Sequence, residues 1–280
     1  MKICVTDHKA RRYCPVRGDS PGNQMTSLQI LLLFLVLFTP LHLHASSPFF
    51  PEITAGEKFL TNLFDPGLEL LPEYRGAKVY WLYHDNYLAA KLLTNSYPEM
   101  ARRIRAGMQR FGVSQSGKIE ILFGEAPDPF PFRNYQLLDV TNVSGKLIRT
   151  ERVTPTLLKG WDAYADLLLM AVIVKSKDAP READAYFQKA LALWDGHGFA
   201  DPASKKNGIY ATYKLALGLL AAHSINQKPP FQPAAIAQLK MLQSPAGGWI
   251  TDYDARGKPH GLPNVETTCL VLLALGQVQP

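Results

Sequence analysis

Nearly uniform apolar stretches alternate along this chain with segments that carry charge on one face only. Trp81 to Leu93 (WLYHDNYLAAKLL), Trp161 to Val174 (WDAYADLLLMAVIV), Asn207 to Ala222 (NGIYATYKLALGLLAA) and Asn264 to Leu275 (NVETTCLVLLAL) each open on polar or aromatic residues and continue almost wholly apolar. A helix that is apolar on most sides is buried on most sides, so these four segments predict buried helices. Glu99 to Arg110, Arg181 to Trp194 and Ala234 to Gln243 keep a charged face and predict surface helices, and Thr54 to Leu63 predicts a short helix near the start. Alternation of this kind is expected of helical hairpins arranged in two layers, each unit covering its neighbour's apolar face.

The widest gap between buried segments predicts an insertion at about 118–153. Lys118 to Phe123 (KIEILF), Tyr135 to Val140 (YQLLDV) and Lys146 to Val153 (KLIRTERV) have strand composition, and Asn142 to Gly145 (NVSG) reads as a hairpin turn. Between them, Glu125 to Asn134 (EAPDPFPFRN) is rich in proline and predicts a stiff, extended loop that serves either as an edge cover or as a lid.

Gln243 to Gly276 contains a helix end, a glycine turn, a polar loop over Thr251 to Gly261 and a new helix start. Its Q-x-x-x-G-x-W pattern (Gln243, Gly247, Trp249) followed by NVETT resembles the repeat unit of the α/α toroids of squalene cyclases and protein prenyltransferase β subunits. FDPGLELLPE, WLYHDNYLA, YADLLL, ALALWDGHGF and YATYKLAL together resemble a family of secreted prokaryotic α/α-toroid proteins, which implies fold and export and carries over no activity. The expected fold is therefore mainly α, an α/α toroid with a small β-hairpin insertion, in a single domain over 46–280. The catalytic motifs of the toroid enzymes are missing. The chain has Asp252-Tyr253-Asp254-Ala255 in place of D-x-D-D, and Cys269 follows Thr268 inside an apolar helix rather than forming a D-x-C pair.

Positions 28–38 (LQILLLFLVLF) form an apolar run followed by Leu43-His44-Ala45-Ser46, which reads as a secretory signal with cleavage after Ala45. The run is shorter than the roughly 20 residues a spanning helix needs, so membrane contact is expected only through this segment if it stays uncleaved. Positions 1–45 form the expected leader, with Met1 or Met25 as its start. Cys4 and Cys14 precede the run and Cys269 follows it, so the domain has no intrachain disulfide. The net charge of +6 includes five basic and two acidic residues at positions 1–45, and the domain itself is only mildly basic. Arg102, Arg103, Arg105 and Arg110 scatter around one helix without interleaved aromatics, which excludes a nucleic-acid interface from the reading. Asn142-Val143-Ser144 fits a glycosylation acceptor.

If the buried helices run the same way, their N-termini gather on one rim and bring unpaired N–H groups with them. The residues expected there include Asp85 and Asp162 as acid/base candidates, with Glu266, Asp252 and His197 as further catalytic candidates. Trp81, Tyr83, Asn86, Tyr213, Trp249 and Tyr253 are expected to shape a ligand cleft. Carboxylates among aromatic rings suit a sugar, with rings stacking on pyranose faces and paired acids cleaving the glycosidic bond. The same residues have structural roles open to them, helix capping for Asp85, Asp162 and Asn264 and turn packing for the aromatics. The expected partner is a glycan or an envelope component, in hydrolysis, elimination or epimerisation, with a non-catalytic glycan- or protein-binding module or a terpenoid- or lipid-binding protein as alternatives. No cofactor or metal is expected, because no H-x-x-x-H or C-x-x-C spacing occurs.

Overall fold

The computed structural model describes residues 47–113, 119–125, 132–204 and 208–278. The expected leader with its apolar run, and positions 126–131 of the proline-rich loop, lie outside the described residues.

Eight α-helices are described: α1 Phe50–Leu63, α2 Leu88–Leu92, α3 Pro98–Arg110, α4 Ala165–Lys175, α5 Pro180–Leu191, α6 Thr212–Ser224, α7 Gln232–Met241 and α8 Val265–Gln277. α1, α3, α5 and α7 each carry proline in the first turn, where the missing N–H costs nothing and the fixed φ favours the helix. α4, α6 and α8 are the apolar segments and bury most of their length. α6 packs between α4 and α8, α8 also packs on α1 and α2, and the outer helices α5 and α7 cover α4 and α6.

The strands correct the expected fold class. Among the described residues helix accounts for 48% and strand for 22%, in two three-stranded sheets, so the arrangement is mixed α/β and not a mainly-α toroid. In the first sheet, β2 (Arg133–Val143) and β3 (Lys146–Leu157) pair antiparallel, and β1 (Val79–Trp81) runs parallel to β3 with Trp81 opposite Arg149. The expected turn is present, with Ser144 and Gly145 both at positive φ. The second sheet, β4 (Ile209–Ala211), β5 (Ile250–Asp254) and β6 (Pro259–Pro263), replaces the polar loop expected over Thr251 to Gly261. Both departures have one cause. The first residues of WLYHDNY and GIYATY are held extended by hydrogen bonds to a neighbouring strand, and the helix begins only after them. Ile119–Phe123, expected as a strand, is a 3₁₀ turn in which Ile119, Glu120 and Ile121 are buried in succession. A strand with one covered face cannot bury three consecutive side chains.

Gln243, Gly247 and Trp249 fix α1 to the end of the chain. Gln243 Nε2 donates to the carbonyls of Glu52 and Gly247, both at 2.8 Å. The fully buried Trp249 donates from Nε1 to the Leu239 carbonyl at 2.8 Å and from its backbone N–H to Thr268 Oγ1 at 3.0 Å. Gly247, at φ +97°, lies so close to α1 that a Cβ there would come within 2.2 Å of the Ala55 carbonyl oxygen.

Candidate functional site

The first residues of α4, α6 and α8 converge on a cavity of about 330 Å³. Asp166, Tyr213 and Glu266 each enter it as the second residue of its helix. The fourth wall is a π-helical turn, Leu82–Tyr87, which supplies His84 and Asp85, with Trp81 just before it. Such wide turns recur at functional sites because the extra residue re-aims the side chains around it. Glu73, Glu151 and Asn264 complete the polar lining.

Local bonding explains how distant segments meet here. Asn86 accepts the Leu71 N–H at 2.7 Å and donates to the carbonyls of Leu71 at 3.0 Å and Trp81 at 2.7 Å, clamping the segment before Glu73 to the π turn. The Val265 N–H then donates to the Glu73 carbonyl at 3.0 Å, the Glu266 N–H to the Asp85 carboxyl, and the Thr267 N–H to Asn264 Oδ1 at 2.9 Å. Three successive N–H groups at the start of α8 are thus satisfied by three different residues. Glu151 reaches the cavity because β3 pairs with β1, whose strand leads directly into the π turn.

His84 lies between two acids, Nε2 at 2.9 Å from Glu151 and Nδ1 at 3.3 Å from Glu266. Burial alone would favour neutral imidazole, but the hydrogen bonds to Glu151 and Glu266 outweigh it and push the pKa up to about 10, so His84 is an imidazolium that donates to both. Asp85 is 2% exposed. Burial, reinforced by the charges of Glu266 and Glu73, pushes its carboxyl far above the ordinary range against the opposing pull of His84. Its Oδ2 has no hydrogen-bond partner. Glu73 is raised by burial and by Glu266, against a hydrogen bond from Trp81 and the charge of Arg149. Tyr213 donates its hydroxyl to Asp166 Oδ2 at 2.9 Å, and burial with the charge of Asp166 holds the phenol neutral.

The cavity therefore gathers Trp81, Asp85, Tyr213 and Glu266 from the residues expected at a cleft. The others lie elsewhere. Asp162 is exposed in the 3₁₀ turn Trp161–Ala163 and faces Lys189 at 3.5 Å, so it is neither the cap nor the acid expected. Asp252 pairs with His260 across β5 and β6. His197 is exposed in a loop and accepts the Tyr253 hydroxyl at its carbonyl at 3.0 Å. Asn86 spends both ends of its amide on the backbone, Trp249 and Tyr253 are fully buried packing residues, and Tyr83 stacks on Tyr87 outside the lining.

Glu73, Glu151 and Asp166 are not among the residues the sequence points to. Asp166 follows Asp162 by one helical turn; the sequence pattern places the helix start at Trp161, whereas Gly160 in the left-handed region and a separate 3₁₀ turn delay it to Ala165. Among the described residues no His, Cys, Asp and Glu group could hold a metal ion. Compared with known proteins, the chain matches no family model, no curated protein and no solved structure.

Proposed function

We propose that this cavity hydrolyses a glycosidic bond, and the observation that carries the reading is Asp85, a fully buried carboxyl with an unpartnered Oδ2 on the wall of a polar, aromatic-edged cavity. A carboxyl held well above the ordinary carboxylate range is suited to act as a general acid. Its Oδ2–H protonates the glycosidic oxygen as the bond to the anomeric carbon breaks. Water adds its hydroxide to that carbon and gives its proton to Asp166, which is oriented by the Tyr213 hydroxyl. Solvent then returns a proton from Asp166 to Asp85. Trp81 offers a ring for stacking, and the volume lies near the lower end of the ~300–1,000 Å³ typical of ligand pockets, which suits a short segment of sugar. Hydrolysis is favoured over elimination because elimination beside a uronate needs a cation to neutralise the sugar carboxylate, and the His84 imidazolium in this lining is already held between Glu151 and Glu266.

The test is release of reducing ends from a panel of envelope and extracellular polysaccharides, with Asp85→Asn and Asp166→Asn beside the native protein. Each substitution should cost about 10²- to 10⁴-fold in turnover while the fold persists. Turnover that survives both would overturn the assignment, and native-only binding without turnover would make the protein a glycan-binding module. Export is proposed alongside, on the apolar run at 28–38. N-terminal sequencing of the product in a fractionated host should find cleavage after Ala45, and recovery of an uncleaved cytoplasmic chain would overturn it.

A further inference from the structure

Five carboxyl groups, Glu73, Asp85, Glu151, Asp166 and Glu266, face this cavity with His84 as the one titratable base in its lining. The nearest cations are already engaged. Arg149 pairs with Asp139 at 2.8 Å and lies over the Trp81 ring, and Lys214 is buried against Asp201. His84 offsets part of the charge on Glu151 and Glu266, and the surplus is negative. An acidic cluster can be merely a solvated face, but here Asp85 is fully buried with an oxygen that meets no protein donor, which marks a position completed by something outside the chain.

Building on the glycoside-cleaving reading, we infer that the cavity selects a sugar bearing a free, protonated amine, a de-N-acetylated amino sugar, over its acetylated or acidic counterparts. An ammonium carries three donors and needs acceptors, which this lining supplies in excess. N-acetylation removes both the charge and two of the donors. A uronate brings a carboxylate into a lining that has no lysine or arginine to receive it.

The amine also has a preferred side. If it lay against Asp85, its charge would draw off the proton that the general acid must keep. It is therefore expected against Glu73, since Glu151 and Glu266 are engaged by His84 and Asp166 by Tyr213.

Calorimetric titration of the native full chain with glucosamine tetramer, N-acetylglucosamine tetramer, a tetra-galacturonate and spermidine tests this. The glucosamine tetramer should bind more tightly than the acetylated tetramer by about tenfold or more, and the galacturonate should not bind. Equal or tighter binding of the acetylated or acidic oligomer overturns the amine assignment, and tighter binding of spermidine overturns the sugar. Glu73→Gln should remove the preference for the free amine while Asp85→Asn retains it. A preference that vanishes in Asp85→Asn instead leaves the amine assignment standing and overturns Asp85 as general acid.

Discussion

Asp85 accepts the main-chain N–H of Glu266 and is at the same time pushed towards its protonated form by the Glu266 carboxylate. One residue thus anchors Asp85 through its backbone and sets its charge through its side chain. Moving either end of α8 relative to the π turn changes both.

This pairing makes stability depend on pH in a defined direction. Asp85 binds its proton more tightly folded than unfolded, so its contribution is fully present below the ordinary carboxylate range near pH 4 and is lost as pH rises through the folded value. Glu73 and Glu266 push that value up, and His84 and the Glu266 N–H pull it down. Asp85→Asn keeps an acceptor for the Glu266 N–H without the buried charge. Its stability relative to the native protein should therefore increase from pH 4 upwards, as followed by urea denaturation at a series of pH values. A native protein that outlasts the variant increasingly with pH would show Asp85 to be ionised and stabilising.

His84 runs on the other side of neutrality. Its folded pKa of about 10 lies above the unfolded 6.5, so its stabilisation is complete below pH 6.5 and is lost between 6.5 and about 10. His84→Gln should be less stable than the native protein at pH 6, with the gap closing by pH 10. A gap that is constant across this range would remove the imidazolium.

Lys214 and Asp201 form an ion pair at almost complete burial, and Asp201 also accepts the Ala165 N–H at 3.0 Å, capping α4 from outside it. Removing only the cation leaves a buried carboxylate uncompensated, so Lys214→Met should cost about 3–5 kcal/mol in chemical denaturation. Lys214→Met combined with Asp201→Asn should recover part of that loss. An additive double variant would mean that the two residues are energetically independent.

Gly247→Ala should destabilise the protein by about 1–3 kcal/mol, because the added methyl meets the Ala55 carbonyl where φ is already positive. Gly145→Ala, also at positive φ but with open space around it, should cost less. Equal losses at the two sites would assign the effect to φ alone and remove the close approach to α1 as its cause.

The helices were legible because their signal is local. Continuous apolar composition marks α4, α6 and α8, proline marks the outer starts, and Asn264 reads directly as the cap that it is. β1 and β4 were illegible because nothing in VYW or IYA distinguishes a strand entering a helix from the helix's own first turn; their partners lie at 147–149 and 252–254. The site divides in the same way. Trp81, Asp85, Tyr213 and Glu266 belong to helix starts that the pattern brings out, whereas Glu151 looks like any charged position on a strand, and only its parallel pairing through β1 places it beside His84.

Two contacts described above join segments far apart in the sequence, Gln243 to Glu52 across 191 positions and His84 to Glu266 across 182. Contacts so far apart in sequence are slow to form, since the loop they close must be ordered before it is rewarded. A ribosome delivers the chain from its N-terminus at roughly 5–20 residues per second. Throughout that time α1 has no Trp249 to pack on and Asp85 has no helix end to meet. The segment from Trp249 through α8 therefore acts as a timer: the acid cavity and the closure of α1 arise together, and only once that segment has been made.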